Sequence, residues 1–471
     1  MAVSGTVPTE LGDKRIRDLL MQYAVPAIIA MTASSLYNMV DSIYIGHIKD
    51  VGSYAISGLA VTFPFMNLST ALGTLVGVGA STILSMLLGQ RNYEASRKVL
   101  VNEIVLNVLI GLSFTLVSLA FLDPILGFFG ASENTLPFAR DYMVIILIGN
   151  VITHLYFGLN NMIRASGNPK LAMGLTIFTV VSNTILDPIF IFVLDMGIKG
   201  AALATVLCQL LAMLYTFKYF LDERSYLHIP KRLKDYKLDL RIAKDSLTIG
   251  MGPFLMNSAA CIVTLFINQQ LLKYGGDLAI GAYGIVNRIS FLFIMINMGF
   301  NQGMQPIAGY NFGARKYSRV RRVFKLTVIC TTSVTCFGFL VSELCPDIAI
   351  SLFTSDPELK SLANKGLRMI NLAFPLVGFQ MATTNFFQSL GMVHKSIFLS
   401  LCRQLLFLVP LIYFLPVFFG HKGVWMSFPI ADTLSIIMAA ILLAALFRKF
   451  RKLNDGDDPD ILGSKMKFKE A

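Results

Sequence analysis

The chain has 471 residues, 55% of them hydrophobic and 14% charged, with a mean hydropathy of +0.65. A soluble globular chain carries about 25% charged residues, so an ordinary soluble domain is excluded. The formal net charge of +12 invites a nucleic-acid reading, but its distribution along the chain gives that reading no weight.

The start, Met1 to Asp13, is polar and mixed. The apolar segment after it is too long for the hydrophobic region of a signal peptide, so the first span is expected to stay in the protein. Twelve apolar stretches follow, each near the ~20 residues that cross a bilayer as a helix. The first six lie at 16–46, 54–86, 95–121, 136–160, 170–194 and 198–221. The second six lie at 243–273, 278–308, 321–342, 361–389, 395–418 and 424–448. Backbone groups in lipid must be satisfied internally, so spans of this length predict helices; barrel strands are about half as long.

With the N-terminus inside, the inner segments hold thirty of the forty Lys and Arg, including a dense run from Lys218 to Lys244. This positive-inside pattern predicts a multi-pass inner (cell) membrane protein with both termini cytoplasmic. The charge is topology, and no nucleic-acid partner is expected. The six cysteines form no CxxC, and five of them sit in apolar spans, which reads as small buried hydrophobes.

The chain is written twice. Pro26 matches Pro253, and Gly89-Gln90-Arg91-Asn92-Tyr93 matches Gly313-Ala314-Arg315-Lys316-Tyr317. Ser166-Gly167 matches Leu390-Gly391, and Gly197-Ile198-Lys199-Gly200 matches Gly420-His421-Lys422-Gly423, at a spacing near 224 residues. Six spans per half is an even number, so both halves enter from one side and the repeat is parallel. The predicted fold is an all-α polytopic membrane protein, with twelve transmembrane helices in two six-helix lobes around a central cavity. The expected boundaries are 1–222 for the first lobe, 223–246 for a cytoplasmic linker, 247–450 for the second lobe and 451–471 for a cytoplasmic tail. The tail after Lys452 is polar and expected to be mobile.

Asp41 lies in the first span, and its counterpart in the second half is Asn268. A carboxylate within a bilayer costs several kcal/mol unless it faces protein, water or a cation. Tyr37, Asn38, Asp41 and Tyr44 recur at three- and four-residue spacing, so they share a helix face. In the fifth span Asn183 and Asp187 are four apart, and the sixth span contributes Thr205. Counted from each span's middle, Asp41, Asp187 and Thr205 all fall in the outer half of the bilayer. Two carboxylates, an amide and a hydroxyl at one level form an all-oxygen set suited to a hard monovalent cation or to protons. The competing expectation is that these groups merely tie helices together.

Other intramembrane polar groups carry weaker expectations. Pro26 bends or loosens the helix that carries Asp41. Glu103, near the inner end of the third span, is expected to reach water, and His154 to pack between helices. Glu343 and Asp347 flank the outer end of the ninth span, where a solvated end is expected. Asp432 is placed with Arg288, as a pair or as lining of a second cavity. Asn268, Gln380 and Asn385 are candidates for a cavity in the second lobe. The abundant Met and Phe (22 and 36 residues) leave room for an adaptable apolar pocket.

On Tyr37-Asn38-Met39-Val40-Asp41, Gly167-Asn168-Pro169-Lys170 leading to Ser182–Pro188, Gly200–Thr205, and Gln305-Pro306 through Phe312-Gly313, the chain resembles a multidrug and toxic compound extrusion (MATE) transporter of the DinF-like branch. The resemblance implies an antiporter that exports amphipathic, often cationic compounds, driven by inward Na⁺ or H⁺. It implies a cation site at Asp41, Asn183, Asp187 and Thr205, and every one of those residues is of the expected type. Some branches carry acids in the second lobe; here Asn268, Gln380, Thr383, Thr384, Asn385 and Gln388 supply none. Coupling is therefore expected through the first lobe alone. The expected partners are small amphipathic molecules and the lipid bilayer, with the chain acting as a monomer. No cofactor beyond the coupling ion and no ATP-binding subunit is expected.

The rival function is a flippase for a lipid-linked glycan precursor on the same fold. Cationic residues in the cavity would favour it, and Arg288 and Arg403 keep it open. An enzyme is not expected: the sequence holds no HExxH, no GxSxG, no Walker loop and no clustered His/Cys ligands.

Overall fold

The structure is a computed structural model that describes residues 10–48, 52–232, 236–354 and 356–457. Within its helices the side chains of 37–39, 42–43, 46, 52–54, 56 and 277 lie outside the description.

The long helices are α1 (Ile16–Gly46), α2 (Gly52–Gly89), α3 (Tyr93–Ala120), α4 (Leu136–Ile148), α5 (Asn150–Ala165), α6 (Pro169–Pro188) and α7 (Ile198–Phe220). They continue with α8 (Leu240–Gly276), α9 (Leu278–Gly313), α10 (Tyr317–Leu344), α11 (Pro357–Ile370), α12 (Phe374–Ser389), α13 (Val393–Phe419) and α14 (His421–Phe450). No strand occurs among the described residues.

Among the described residues ten helices are long and apolar enough to cross a membrane, and the α4–α5 pair, bent by 55°, makes an eleventh candidate. The fourth predicted span is therefore broken at Gly149, where a β-carbon would sit 2.5 Å from the Val206 side chain. The tenth predicted span, 361–389, is also divided. Its first part, α11, carries Lys365 and Arg368, and a 3₁₀ turn at Asn371–Ala373 separates it from α12.

The described chain forms two compact units, Met1–Asp13 with Ile29–Phe254 and Lys14–Ile28 with Leu255–Ala471. Each leading helix, α1 and α8, is thus divided between the units. The first unit is centred on Ile45, Phe65, Tyr142, Met143, Ile191 and Ala201. The second is centred on Val286, Leu367, Ile412 and Trp425.

The sequence repeat recurs in matching turns and hydrogen bonds. The Gly-x-Arg turns place Arg91 and Arg315 in the left-handed region, at φ 60° and 58°. Each turn closes the same way: Asn92 N donates to Leu87 O at 3.0 Å, and Lys316 N to Asn311 O at 2.8 Å. Gly197 and Gly420 share φ, ψ of 54°, −136° and 57°, −143°, a region essentially closed to residues with a side chain. Ser69 Oγ donates to Asn150 at 2.5 Å, and Ser290 Oγ to Asn371 at 3.0 Å, both across 81 residues. A π-helical turn interrupts the fifth span at Ile189–Val193 and the eleventh at Cys402–Leu408.

Helix α3 shows the membrane logic. Leu109, Leu112, Leu116, Val117 and Phe121 are exposed, as a lipid-facing stripe requires. Its buried face instead carries Asn102, Glu103, Asn107, Gly111, Thr115 and Ser118. Glu103 therefore does not reach water; it is fully buried, because helix rotation turns it inward with the rest of this polar stripe. At the ninth-span end Asp347 is exposed and accepts from Asn364 at 2.9 Å, while Glu343 is half-buried.

The beginning of the tail is not loose. Ser318 donates its N–H and its hydroxyl to the Asp455 carboxylate at 2.8 and 2.5 Å, and Tyr317 Oη donates to Asp457 O at 2.8 Å. Residues 454–457 thereby cap the first turn of α10, whose amides have no intrahelical partners. The rest of the expected tail, 458–471, lies outside the described residues.

Candidate functional site

The candidate cation site draws on three helices of the first unit. Asp41 of α1 is 6% exposed, and Asn183 and Asp187, one turn apart on α6, are 2% and 0% exposed. Thr205 of α7 is half-buried and accepts a hydrogen bond from Asn183 Nδ2 at 3.2 Å. The Asp41 and Asp187 carboxyls lie within interaction range of each other.

The local sequence explains why α6 presents Asp187 here. Pro188 supplies no N–H, and the π turn at Ile189–Val193 widens the helix directly after it. Gly200 lets α7 approach that turn: a β-carbon there would fall 2.7 Å from the Phe190 carbonyl. Thr205, five residues on, is thereby brought to Asn183.

The site is short of donors. Asp41 Oδ1, Asn183 Oδ1 and both Asp187 carboxylate oxygens are buried with no hydrogen-bond partner. Buried polar atoms are rarely left so, and unpaired buried acceptors cost about 1–3 kcal/mol each, more when charged. Four converging orphan oxygens fit a small hard cation or protons. No group of three or more His, Cys, Asp or Glu that would hold a transition metal occurs among the described residues.

A cavity of about 280 Å³ opens beside the site, lined by Asn183 and Thr205 with Ser69, Asn150, Tyr156 and Gln209 among its polar groups. Phe63, Met66 and Phe157 give it an apolar wall. It stands at the lower edge of drug-sized sites, which start near 300 Å³. Thr153 and Gln209 bond across it at 2.5 Å.

Other expected residues fall elsewhere. The side chains of Tyr37 and Asn38 lie outside the described residues. Tyr44 packs edge-to-face on Phe192, with ring centroids 6.4 Å apart, against the first unit's core. Pro26 is buried within α1, in the stretch that belongs to the second unit. In that unit Asn268 is half-buried, Gln380 is buried, and Asn385 donates to its own helix at Met381 O, 3.0 Å. No hydrogen bond among the described residues links these three.

Asp432 is not the partner of Arg288, which is exposed. It pairs with Arg403 at 2.5 Å, with side chains 7% and 27% exposed. Arg403 stands in the π turn of α13, whose altered winding sets the direction of its side chain. The buried Asp432 charge is therefore matched within the second lobe by Arg403.

Sequence reasoning undervalued the groups behind the cavity. Glu103 accepts from Asn107 Nδ2 at 2.5 Å, and His154 Nε2 lies 3.3 Å from Ser69 Oγ. The four-residue spacing of Glu103, Asn107 and Gly111 was the available signal.

The MatE family model matches residues 26–189 and 249–414, one segment in each half. Multidrug export protein MepA of Staphylococcus aureus (strain MSSA476) is 30% identical over 437 residues, covering 91% of this chain and 93% of its own. MepA of Staphylococcus haemolyticus is 29% identical over 427 residues. Among solved structures, an outward-facing MATE family transporter of the MOP superfamily superposes with a TM-score of 0.87 at 24% identity, covering 96% of this chain and all of that one. A MATE structure in a bent conformation gives 0.88 at 24% identity, covering 95% of this chain and 99% of that one. Two lobes of one repeat, spans of membrane length and a family match in both halves make this chain a member of the MATE family, a multi-pass membrane transporter and not an enzyme.

Proposed function

We propose that the protein exports amphipathic, often cationic compounds in exchange for inward Na⁺ or H⁺, with the ion taken at Asp41, Asn183, Asp187 and Thr205. The observation that carries this is the set of four buried oxygens without partners on Asp41, Asn183 and Asp187. Two adjacent carboxylates repel when both are ionised, and either a proton on one or a cation between them removes the repulsion. Proton and sodium thus use the same oxygens. Opposed exchange follows if ion and substrate each favour a different conformation, because a ligand shifts an equilibrium only by its differential affinity. The MepA relatives, named as multidrug export proteins, support the substrate class. The thirty inner Lys and Arg support a cell-membrane location with cytoplasmic termini. The protein acts as a single chain without an ATP-binding subunit.

The flippase reading is weaker because Arg403 is already paired with Asp432, which leaves it little charge to offer a pyrophosphate.

Uptake of a cationic dye into inverted vesicles, with sodium and pH gradients imposed separately, tests the proposal. The driving gradient identifies the ion, and Asp41→Asn or Asp187→Asn abolishes gradient-driven uptake. Full accumulation against a gradient by either variant overturns the coupling assignment.

A further inference from the structure

We propose that Glu103 is a second proton-binding carboxyl of the first lobe, separate from the Asp41/Asp187 cluster and joined to its cavity by a polar seam. The seam runs through Asn107, His154, Ser69 and Asn150.

Glu103 is fully buried in α3. Its Oε1 accepts from Asn107 Nδ2 at 2.5 Å, while Oε2 has no partner. Across the packing gap stands Gly158 of α5, where a β-carbon would lie 1.7 Å from Oε1, so the carboxyl rests directly on the α5 backbone. One turn along α5, His154 has its Nδ1 without a partner beside Gly111 of α3, and its Nε2 3.3 Å from Ser69 Oγ. Ser69 and Asn150 then line the cavity that Asn183 and Thr205 also line. Polar groups of α3, α5 and α2 thus lie between the cavity and Glu103 inside one unit, with the row open between Asn107 Oδ1 and His154 Nδ1, neither of which has a hydrogen-bond partner.

Among the described residues no cation forms an ion pair with this carboxyl. Residues 57–89 of α2, packed on α3, contain no ionisable side chain. Helix α5 offers His154, Tyr156 and Arg164; Arg164 donates to Asn160 at 3.4 Å, and Tyr156 faces Thr176 and Thr179. The start of α8, which packs near Leu106, carries Arg241, Lys244 and Asp245. On α3 itself Lys98 pairs with Glu94 at 3.0 Å, and Arg97 donates to Tyr226 O at 3.0 Å. None of them forms an ion pair with Glu103. A buried carboxyl without a counter-ion is stable in low dielectric as the neutral acid, with a proton on the free oxygen.

The repeat argues against a packing role. Residues 103, 107 and 111 align with Thr327, Thr331 and Thr335 of α10, all fully buried. Thr327 and Thr331 satisfy themselves on their own helix, donating to Val323 O and Thr327 O, each at 2.9 Å, while Thr335 donates to Thr331 O and to Pro375 O, each at 3.1 Å. A threonine therefore serves this interhelical seam. The acid is retained in the lobe that also retains Asp41.

The proton-binding step stands apart from the antiport reading; only its consequence for transport rests on that reading. Glu103 is the one glutamate in the buried class among the described residues. Infrared spectra of the purified full-length protein, with its glutamate carboxyls isotope-labelled, should therefore show a label-shifted protonated-carboxyl band at neutral pH. The band should vanish in Glu103→Gln and in Glu103→Thr, which copies the second lobe, and persist in an Asp41→Asn/Asp187→Asn double variant. Absence of a label-shifted band in the unmutated protein overturns the proposal whether or not the variants fold, as does persistence of the band in Glu103→Thr. In vesicles Glu103→Thr should cut pH-driven dye uptake at least tenfold while leaving dye binding unchanged. A band without gradient-driven uptake by any form sinks the antiport reading alone; uptake lost in Asp41→Asn with no band sinks the Glu103 site alone.

Discussion

Breaking the Arg403–Asp432 pair offers a direct measure of what the second lobe's charges do. The partners are 2.5 Å apart and largely removed from solvent, with Asp432 at 7% and Arg403 at 27% exposure. Removing one member of a buried pair costs about 3–5 kcal/mol, because the other charge is left uncompensated. The lower end, about 3 kcal/mol, applies here, since the partial exposure of Arg403 gives some solvent screening. Arg403→Met and Asp432→Leu should each destabilise by about that amount. The double variant should return to within about 1 kcal/mol of the parent, since apolar replacements of similar volume are often neutral. The coupling energy is then about 5 kcal/mol or more, above the usual range for contacting residues. Reversible unfolding in bicelles, run as a double-mutant cycle, reads these values. Additive losses would refute the internal pairing. Dye export by the double variant should survive. Its loss, together with binding of a lipid-linked pyrophosphate by the parent alone, would restore the flippase reading.

Gly250→Ala should destabilise by about 1–3 kcal/mol through overpacking, because its β-carbon would meet the Leu75 carbonyl oxygen at 1.7 Å. Gly174→Ala on α6, with open space around it, should instead stabilise by roughly 0.5–1 kcal/mol; equal thermal shifts for the two would contradict the packing described. Asn183→Leu removes one of the four orphan oxygens and should raise the half-saturating concentration of the driving ion about tenfold, equivalent to ~1.4 kcal/mol; an unchanged value would remove Asn183 from the site. Asp455 is slightly buried, which opposes its charge, but hydrogen bonds from Ser318 and the nearby Arg321 prevail and hold its carboxyl below the ordinary aspartate range. A depressed folded pKa stabilises above the unfolded value, ~3.9, and that contribution is lost as pH falls through the lower folded value. Hydrogen-exchange protection at Ser318 and Gly456 should therefore hold from neutral pH to about 4 and fade below it. Asp455→Asn should lack this acid step, and a step of unchanged size in the variant would place the titrating group elsewhere.

Much of the architecture was legible without coordinates because its determinants are local. Apolar length marks a span. The Gly-x-Arg and Gly-x-x-Gly turns repeat because particular φ, ψ values must recur, as Arg91/Arg315 and Gly197/Gly420 show. The four-residue spacing of Asn183 and Asp187 likewise states a shared face before any helix is built. What depends on which way a helix is rolled against its neighbours was not legible. Glu103 looked near enough to an end to be wet, and the buried stripe of α3 turned it to the α5 backbone. Asp432 was expected beside Arg288, and the π turn of α13 gave it Arg403 instead. Asn454–Asp457 read as loose polar tail, yet the free amide of Ser318 gave it a place to dock. Composition and periodicity determined the membrane class, the duplication and the residue types at the candidate cation site. Tertiary packing decided which charges meet, because an interhelical contact is set by rotation and depth across distant segments, and neither is written in a local pattern.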